Sequence, residues 1–227
     1  MTSVFIISAP SGSGKSTLVD KVRLEVSGLD FSVSYTTRPP RGSEQDGQEY
    51  FFVSRPQFEE MVRQDQFLEH ADVFRNYYGT ARRFLLQAED HGKDLLLDID
   101  VQGAEQIMRK IPRAVGVFIL PPDRNTLERR LRSRSQDSEE VIQLRLATAT
   151  REIENYSKYD YILVNDRLEE STEALKAILL AERLKRSGAQ PLSADDNAMV
   201  AMAELHRLNN MRARIEPILG SFRTGGA

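Results

Sequence analysis

The chain has 227 residues, with 31 lysines and arginines against 34 aspartates and glutamates, three histidines, no cysteine and a formal net charge of −3. That length suits one compact α/β domain with a sizeable core, or a core carrying a small inserted lid and a tail, and is short for two full domains. The charge balance argues against a general basic surface for nucleic acid, the missing cysteines remove disulfides and thiolate metal sites, and no apolar run reaches membrane-spanning length.

Val4-Phe5-Ile6-Ile7 reads as a buried strand; it is too short, and lacks the basic start, for a secretory signal, so a cytoplasmic protein is expected. Ala9-Pro10-Ser11-Gly12-Ser13-Gly14-Lys15-Ser16 follows directly and fits the phosphate-cradling loop between a strand and a helix. Gly12 and Gly14 admit positive φ and let backbone N–H groups approach a phosphate, Lys15 supplies a point charge, and Ser16 offers a hydroxyl to Mg²⁺. Leu18, Val22 and Val26 recur at helical spacing with Val19 beside them, so the loop opens a helix whose N-terminal dipole favours phosphates. A Mg-nucleoside triphosphate is the expected ligand, and a plain Gly-Ser turn without one is the alternative.

Residues 31 to 80 are rich in Tyr, Phe, Arg and Gly and read as an inserted subdomain. Strand-like pieces run from Phe31 to Tyr35 and from Tyr50 to Val53, and a helix from about Arg55 to Gln64 is capped by Ser54 and carries Phe58, Met61 and Val62 as its apolar stripe. Arg38 and Arg41 stand three apart in a turn stiffened by Pro39 and Pro40, while Tyr50, Tyr78 and Thr80 add hydroxyl donors. Such a set suits a dianionic phosphate monoester, because the arginine fork pairs with phosphate oxygens bidentately. A solvated basic turn is the competing account.

Further along, Leu95 to Leu97, Val115 to Leu120 and Tyr161 to Val164 read as buried strands. Helical patterns run from Val101 to Lys110, Asn125 to Arg134, Ser138 to Tyr156 and Leu168 to Arg186. The alternation predicts a parallel sheet with helices on both faces and ligands at the carboxyl ends of its strands. Asp98 and Asp100 end one strand on a common face at that edge, or else cap the next helix. Arg130 and Arg134 stand four apart beside Leu127 and Leu131, with Arg145 on the next helix after Ser135-Gln136-Asp137, as a lid or as a solvated basic face. His70, His91 and His206 form no metal pattern. After Gly188 a linker leads to Leu208, Met211, Ile215 and Leu219 at helical spacing, an amphipathic helix that either docks on the core or mediates self-association.

The motifs Ser34 to Arg41, Asn76-Tyr77-Tyr78-Gly79-Thr80, Leu97 to Gly103 and Val164-Asn165-Asp166, with the phosphate loop before them, resemble those of guanylate kinases in order and spacing over about residues 3 to 186. The resemblance implies an α/β fold: a three-layer P-loop NTPase core with a parallel sheet (about 1–30 and 81–187), an inserted GMP-binding subdomain (31–80) and a helical lid (124–150), with 188–227 outside it. It implies transfer of the γ-phosphoryl group of MgATP to GMP, and to dGMP, with ATP and GMP as partners rather than nucleic acid or membrane. In that family the residues matching Arg38, Arg41, Tyr50 and Tyr78 hold the GMP phosphate, and those matching Ser34, Glu69, Thr80 and Asp98 hold guanine. Those matching Arg134 and Arg145, with Arg130 beside them, close over the nucleotides. ATP is then expected on Ala9, Pro10, Ser11, Gly12, Ser13, Gly14, Lys15, Ser16, Thr17 and, at the adenine, Asn165, with Mg²⁺ on Ser16 and, through water, Asp100, unless Asp100 supports the loop. An ionised Glu69 can accept from the adjacent N1–H and N2–H₂ of guanine, whereas adenine turns an unprotonated N1 toward it.

Three departures stand out. Ala9 replaces the usual opening glycine, Gly42-Ser43 replaces a Pro-Gly before Glu44 so that a looser turn is expected after Arg41, and the tail beyond Gly188 lies outside the resemblance. A protein-binding scaffold of the same shape would not need Lys15, Arg38, Arg41 and the lid arginines. A phosphate-loop kinase for another acceptor would not need Ser34, Glu69, Thr80 and Asp98.

Overall fold

The computed structural model describes all residues except 1, 74, 135–137, 189, 191 and 224–227, with the backbone alone for Arg134. In chain order the elements begin with β1 (Val4–Ser8), α1 (Lys15–Glu25), β2 (Leu29–Ser32), β3 (Tyr35–Thr36), β4 (Phe51–Phe52), α2 (Arg55–Arg63), β5 (Phe67–Val73) and β6 (Asn76–Ala81). They continue with α3 (Arg82–Asp90), β7 (Asp94–Asp98), α4 (Val101–Lys110), β8 (Val115–Leu120), α5 (Arg124–Arg134) and α6 (Glu139–Ile153). The last are β9 (Tyr161–Val164), α7 (Leu168–Ser187), α8 (Ala194–Leu205) and α9 (Leu208–Arg223). One sheet has the order β2-β7-β1-β8-β9 and the other β4-β3-β6-β5. The β2–β7 and β8–β9 pairings are parallel, as the alternation of strand and helix predicts.

Several local expectations change. The single strand expected from Phe31 to Tyr35 is two: β2 pairs with β7, and β3 belongs to the smaller sheet. Strand β2 is mostly half-buried, so it lacks the unbroken apolar run by which a core strand announces itself. The helix expected from Ser138 to Tyr156 ends at Ile153, and a 3₁₀ turn over Glu154–Lys158 follows. Where a linker was expected after Gly188, α8 forms, started by a capping box in which Ser193 and Asp196 bond each other's backbone N–H. Strands β5 and β6 and helix α3 went unpredicted.

The chain divides into two compact units, Met1–Ile6 with Ser27–Val115 and Ile7–Val26 with Gly116–Ala227. In the first, Phe58, Phe67 and Ala81 form a small core ringed by Tyr35, Val53, Met61, Val62, Tyr77 and Phe84, and the Phe58 and Phe67 rings stack with centroids 4.5 Å apart. Burying each phenylalanine contributes about 1.5–3 kcal/mol. Helix α2 starts at the expected Ser54 cap, which accepts from Gln57 N. Helix α4 lies along β5: Lys110 Nζ donates to Leu68 O at 2.6 Å, Gln106 Nε2 to His70 O at 2.7 Å and Gln102 Nε2 to Asp72 O at 3.5 Å. Residues four apart on one helix face thus occupy alternate carbonyls of the outermost strand of the smaller sheet.

In the second unit, Leu18, Val19 and Val22 bury the inner face of α1, which packs on α7. The tail docks rather than standing free: Met211, Ile215, Ile218, Leu219 and Phe222 are buried, and α9 packs on α5, α6 and β9. Residues 206–208 add a short antiparallel bridge to β9, with Ile162 N donating to His206 O at 2.8 Å and Leu208 N to Asp160 O at 3.0 Å. Beside that bridge, Arg207 Nη2 donates to Glu182 Oε1 at 2.7 Å, the Tyr161 hydroxyl donates to the same carboxylate, and the guanidinium lies 4.2 Å from the Tyr161 ring centroid. Among the described residues no helix is long and apolar enough to cross a membrane.

Candidate active site

The loop from Ala9 to Ser16 turns on two glycines in the left-handed region, Gly12 at φ +90° and Gly14 at φ +84°. Both positions are closed to a side chain. A Cβ on Gly12 would lie 2.9 Å from Leu131 Cδ2, and one on Gly14 would lie 2.5 Å from Asn165 Nδ2. Gly14 is the N-cap of α1 and gives that helix no side-chain cap, at the end where a helix dipole favours an anion. Lys15 and Ser16 are the first residues of that helix, and Ser16 and Thr17 are exposed. The loop is braced from within: Ser13 N donates to Pro10 O at 3.1 Å, and Asn165 Nδ2 donates to Ser13 O at 2.8 Å. Arg130 Nη1 in turn donates to Asn165 O at 3.0 Å. Ala9 is not among the residues of positive φ, so it takes the place of the usual glycine without strain. The arginines expected to form a lid lie on α5 and α6: Arg130 and Arg145 are half-buried, while the Arg134 side chain and the stretch 135–137 fall outside the described residues.

The first unit carries the arginines and the carboxylate that the sequence points to for the acceptor. Arg38 is only 6% exposed and is held by Glu44, with Nη1–Oε2 at 2.9 Å and Nη2–Oε1 at 3.0 Å, and Nη1 also donates to Pro39 O at 2.7 Å. Its guanidinium sits 5.2 Å from the Tyr50 ring centroid, and the Tyr50 and Tyr78 rings meet edge to face at 5.8 Å. Glu44 also accepts from Arg41 N at 2.8 Å and donates its own N–H to Arg41 O at 3.0 Å, so the turn expected to be loose is closed by this carboxylate. Burial pushes the Glu44 carboxyl up, but Arg38 and the Arg41 N–H outweigh it and hold the pKa below the usual range. Arg41 is exposed at the rim.

Glu69 is the deepest charged group of the set, 3% exposed and opposite Thr80 in the β5–β6 register, with Thr80 Oγ1 donating to Oε1 at 2.6 Å. Desolvation pushes its carboxyl up to about 7, the Thr80 bond pulls it down, and Asp100 pushes it up again. Ser34 is half-buried, and its carbonyl accepts from Phe51 N at 2.9 Å. Asp98 ends β7, and Asp100 caps α4 by accepting from Gly103 N at 2.8 Å.

The first unit holds a buried carboxylate and an arginine–tyrosine cluster, and the second a loop that turns on two left-handed glycines. The guanylate kinase family profile matches residues 1–182. The chain belongs to the guanylate kinase family. It is 55% identical to the guanylate kinase of Koribacter versatilis over 223 residues, covering 97% of this chain and 95% of that one. It is 51% identical to the Escherichia coli K12 guanylate kinase over 187 residues, 81% of this chain and 90% of that one. Among solved structures, the guanylate kinase of Anaplasma phagocytophilum superposes with a TM-score of 0.68 at 35% identity, over 81% of this chain and 87% of that chain. Two features of this guanylate kinase family member escaped sequence reasoning: Glu44 as the carboxylate that aims Arg38, and Asn165 as a brace of the loop. Glu44 had a visible signal, three residues after Arg41, whereas the contact between Asn165 and Ser13 joins positions 152 apart and has none.

Proposed function

We propose that this guanylate kinase family member, an ATP:GMP phosphotransferase, moves the γ-phosphoryl group of MgATP onto a phosphate oxygen of GMP or dGMP, using the residues assembled above. The observation that carries the reading is the buried Glu69–Thr80 pair, an acceptor for guanine's paired N–H donors that few other acceptors could use. Arg38, Arg41, Tyr50 and Tyr78 would hold the GMP phosphate, with Arg38 already oriented by Glu44. Ser34 and Asp98 would complete the base pocket. The attacking phosphate is ionised near neutral pH, so no general base is required, and catalysis consists of alignment, charge neutralisation and exclusion of water.

The backbone of Ala9 to Thr17 would cradle the donor phosphates, with Lys15 placing a cation on them and Asn165 supporting the loop or the adenine. The closed-off Cβ positions at Gly12 and Gly14 fit such a cradle. Ser16 would hold Mg²⁺, with Asp100 contributing through water or acting only as the cap of α4; when bound, the ion neutralises charge on the transferring group. Arg130, Arg134 and Arg145 on α5 and α6 would act as the lid, with residues 31–80 as the acceptor insert, and their closure would exclude water. A cytoplasmic site of action accords with these substrates.

The test is to incubate purified protein with MgATP and GMP, dGMP, AMP, UMP or CMP and follow ADP release. Turnover confined to the guanine nucleotides is expected. Preference for another acceptor, or no turnover with any, overturns the reading.

A further inference from the structure

The tightest vacancy in the first unit lies at Gly103, in the first turn of α4. A Cβ there would stand 2.4 Å from Glu69 Oε2 and 2.8 Å from its Cδ, well inside any tolerated contact. The carboxylate of Glu69 occupies the volume where any other residue would carry its side chain. Gly103 has ordinary helical geometry and is not among the positive-φ positions, so backbone freedom does not explain the glycine. Within a helix glycine is a less favourable residue than alanine. What offsets that cost here is room for another side chain.

Neither partner can retreat cheaply. The other carboxylate oxygen of Glu69 is held by Thr80, itself fully buried, at 2.6 Å. Helix α4 cannot slide outward without breaking the bonds from Gln106 and Lys110 to the carbonyls of His70 and Leu68, which flank Glu69 on β5. The Gly103 N–H is committed to the Asp100 carboxylate at 2.8 Å. The one soft coordinate is the Glu69 side chain, so a methyl group at position 103 would swing the carboxylate out of its seat.

We infer that Gly103 is a positioning residue for acceptor specificity: its missing side chain lets α4 and Thr80 clamp the Glu69 carboxylate at the angle from which it meets the two adjacent donors of guanine. This rests on the assignment of Glu69 to the base. Displacing a substrate-reading group by about 1 Å can cost on the order of 10²-fold. The loss should fall on the acceptor nucleotide and should be largest for the acceptor that uses both donors.

The experiment compares wild type, Gly103→Ala, Glu69→Asp and the double variant, measuring kcat and KM for GMP, for IMP, which lacks the 2-amino group, and for ATP. Gly103→Ala is expected to raise KM for GMP about 10- to 100-fold with KM for ATP unchanged, and to reduce the preference for GMP over IMP. Shortening Glu69 withdraws the carboxylate from the added methyl, so in the Glu69→Asp background the same change should cost several-fold less. An unchanged KM for GMP, an equal rise in KM for ATP, or a loss that simply multiplies with that of Glu69→Asp overturns the inference. Should Gly103→Ala fail to fold, the double variant must recover a wild-type circular dichroism spectrum and thermal transition, and its failure to do so also overturns it. If wild-type protein fails to phosphorylate GMP, it is the assignment of the acceptor that falls, whatever the variants do.

Discussion

Thr80 Oγ1 and Glu69 Oε1 lie 2.6 Å apart, both in buried side chains, on neighbouring strands of the smaller sheet. The pairing aims a carboxylate into a protein interior, and burial raises its pKa to about 7. Guanine needs the ionised form. GMP affinity should therefore weaken as pH falls below about 7, approaching tenfold per unit, whereas ATP affinity should not share that dependence on Glu69. The GMP phosphate itself titrates near about 6, so the informative quantity is the difference between wild type and Glu69→Gln in calorimetric titrations from pH 5.5 to 8. Identical pH profiles for the two proteins would remove Glu69 from the base pocket.

The same shift has a consequence for stability. The folded-state pKa of Glu69 lies above that of a solvated glutamate, about 4.5, so the fold favours the protonated carboxyl, and its contribution is full below about 4.5 and lost as pH rises through about 7. Glu69→Gln should accordingly raise the melting temperature at pH 8 and do so much less at pH 4.5, while weakening GMP binding most at pH 8 and progressively less as pH falls below about 7. Equal changes in Tm at both pH values would contradict the burial argument.

Lys15 stands at the first position of α1, after a glycine that caps the helix without a side chain. Lys15→Met should lower kcat by several orders of magnitude while leaving the calorimetric affinity for GMP within about twofold, because its charge acts on the donor phosphates. Loss of GMP binding in this variant would mean that the donor and acceptor sites are not independent.

Asn165 donates to Ser13 O at 2.8 Å, which makes it a support of the phosphate loop whatever base the donor carries. Asn165→Ala should raise the Kd of ATP about fivefold to fiftyfold, the range expected for losing one well-placed buried hydrogen bond, and should weaken GTP at the donor site by a similar factor. A loss confined to ATP would instead make Asn165 an adenine contact.

In the tail, Arg207 and the Tyr161 hydroxyl share the Glu182 carboxylate, which is 9% exposed. Removing one partner leaves a nearly buried charge less satisfied. Arg207→Ala should cost on the order of 2 kcal/mol, discounted for the partial exposure of the arginine, and lower Tm by about 4–8 °C with kcat and both KM values unchanged. An unaltered thermal transition would show the tail to be held by its apolar face alone.

What the sequence determined by itself is chemistry with a local signature. The glycine loop is contiguous, its strand and helix flanks are apolar at the right periods, and Ser54, Pro56 and Gln57 start α2 within four residues of one another. Arg38, Arg41 and Glu44 likewise sit within one turn. Strands β5 and β6 left no such trace, because Glu69, Thr80 and Gly79 interrupt the apolar alternation, and a Cβ at Gly79 would lie 2.9 Å from the Phe67 ring. Only the tertiary structure decided that Glu69 is buried rather than a surface carboxylate, that Gly103 leaves it room, that Asn165 reaches back to Ser13, and that the tail docks on α5, α6 and β9. Each of these depends on side chains far apart in the chain sharing one small volume, and excluded volume and desolvation act between neighbours in space, which local periodicity does not encode.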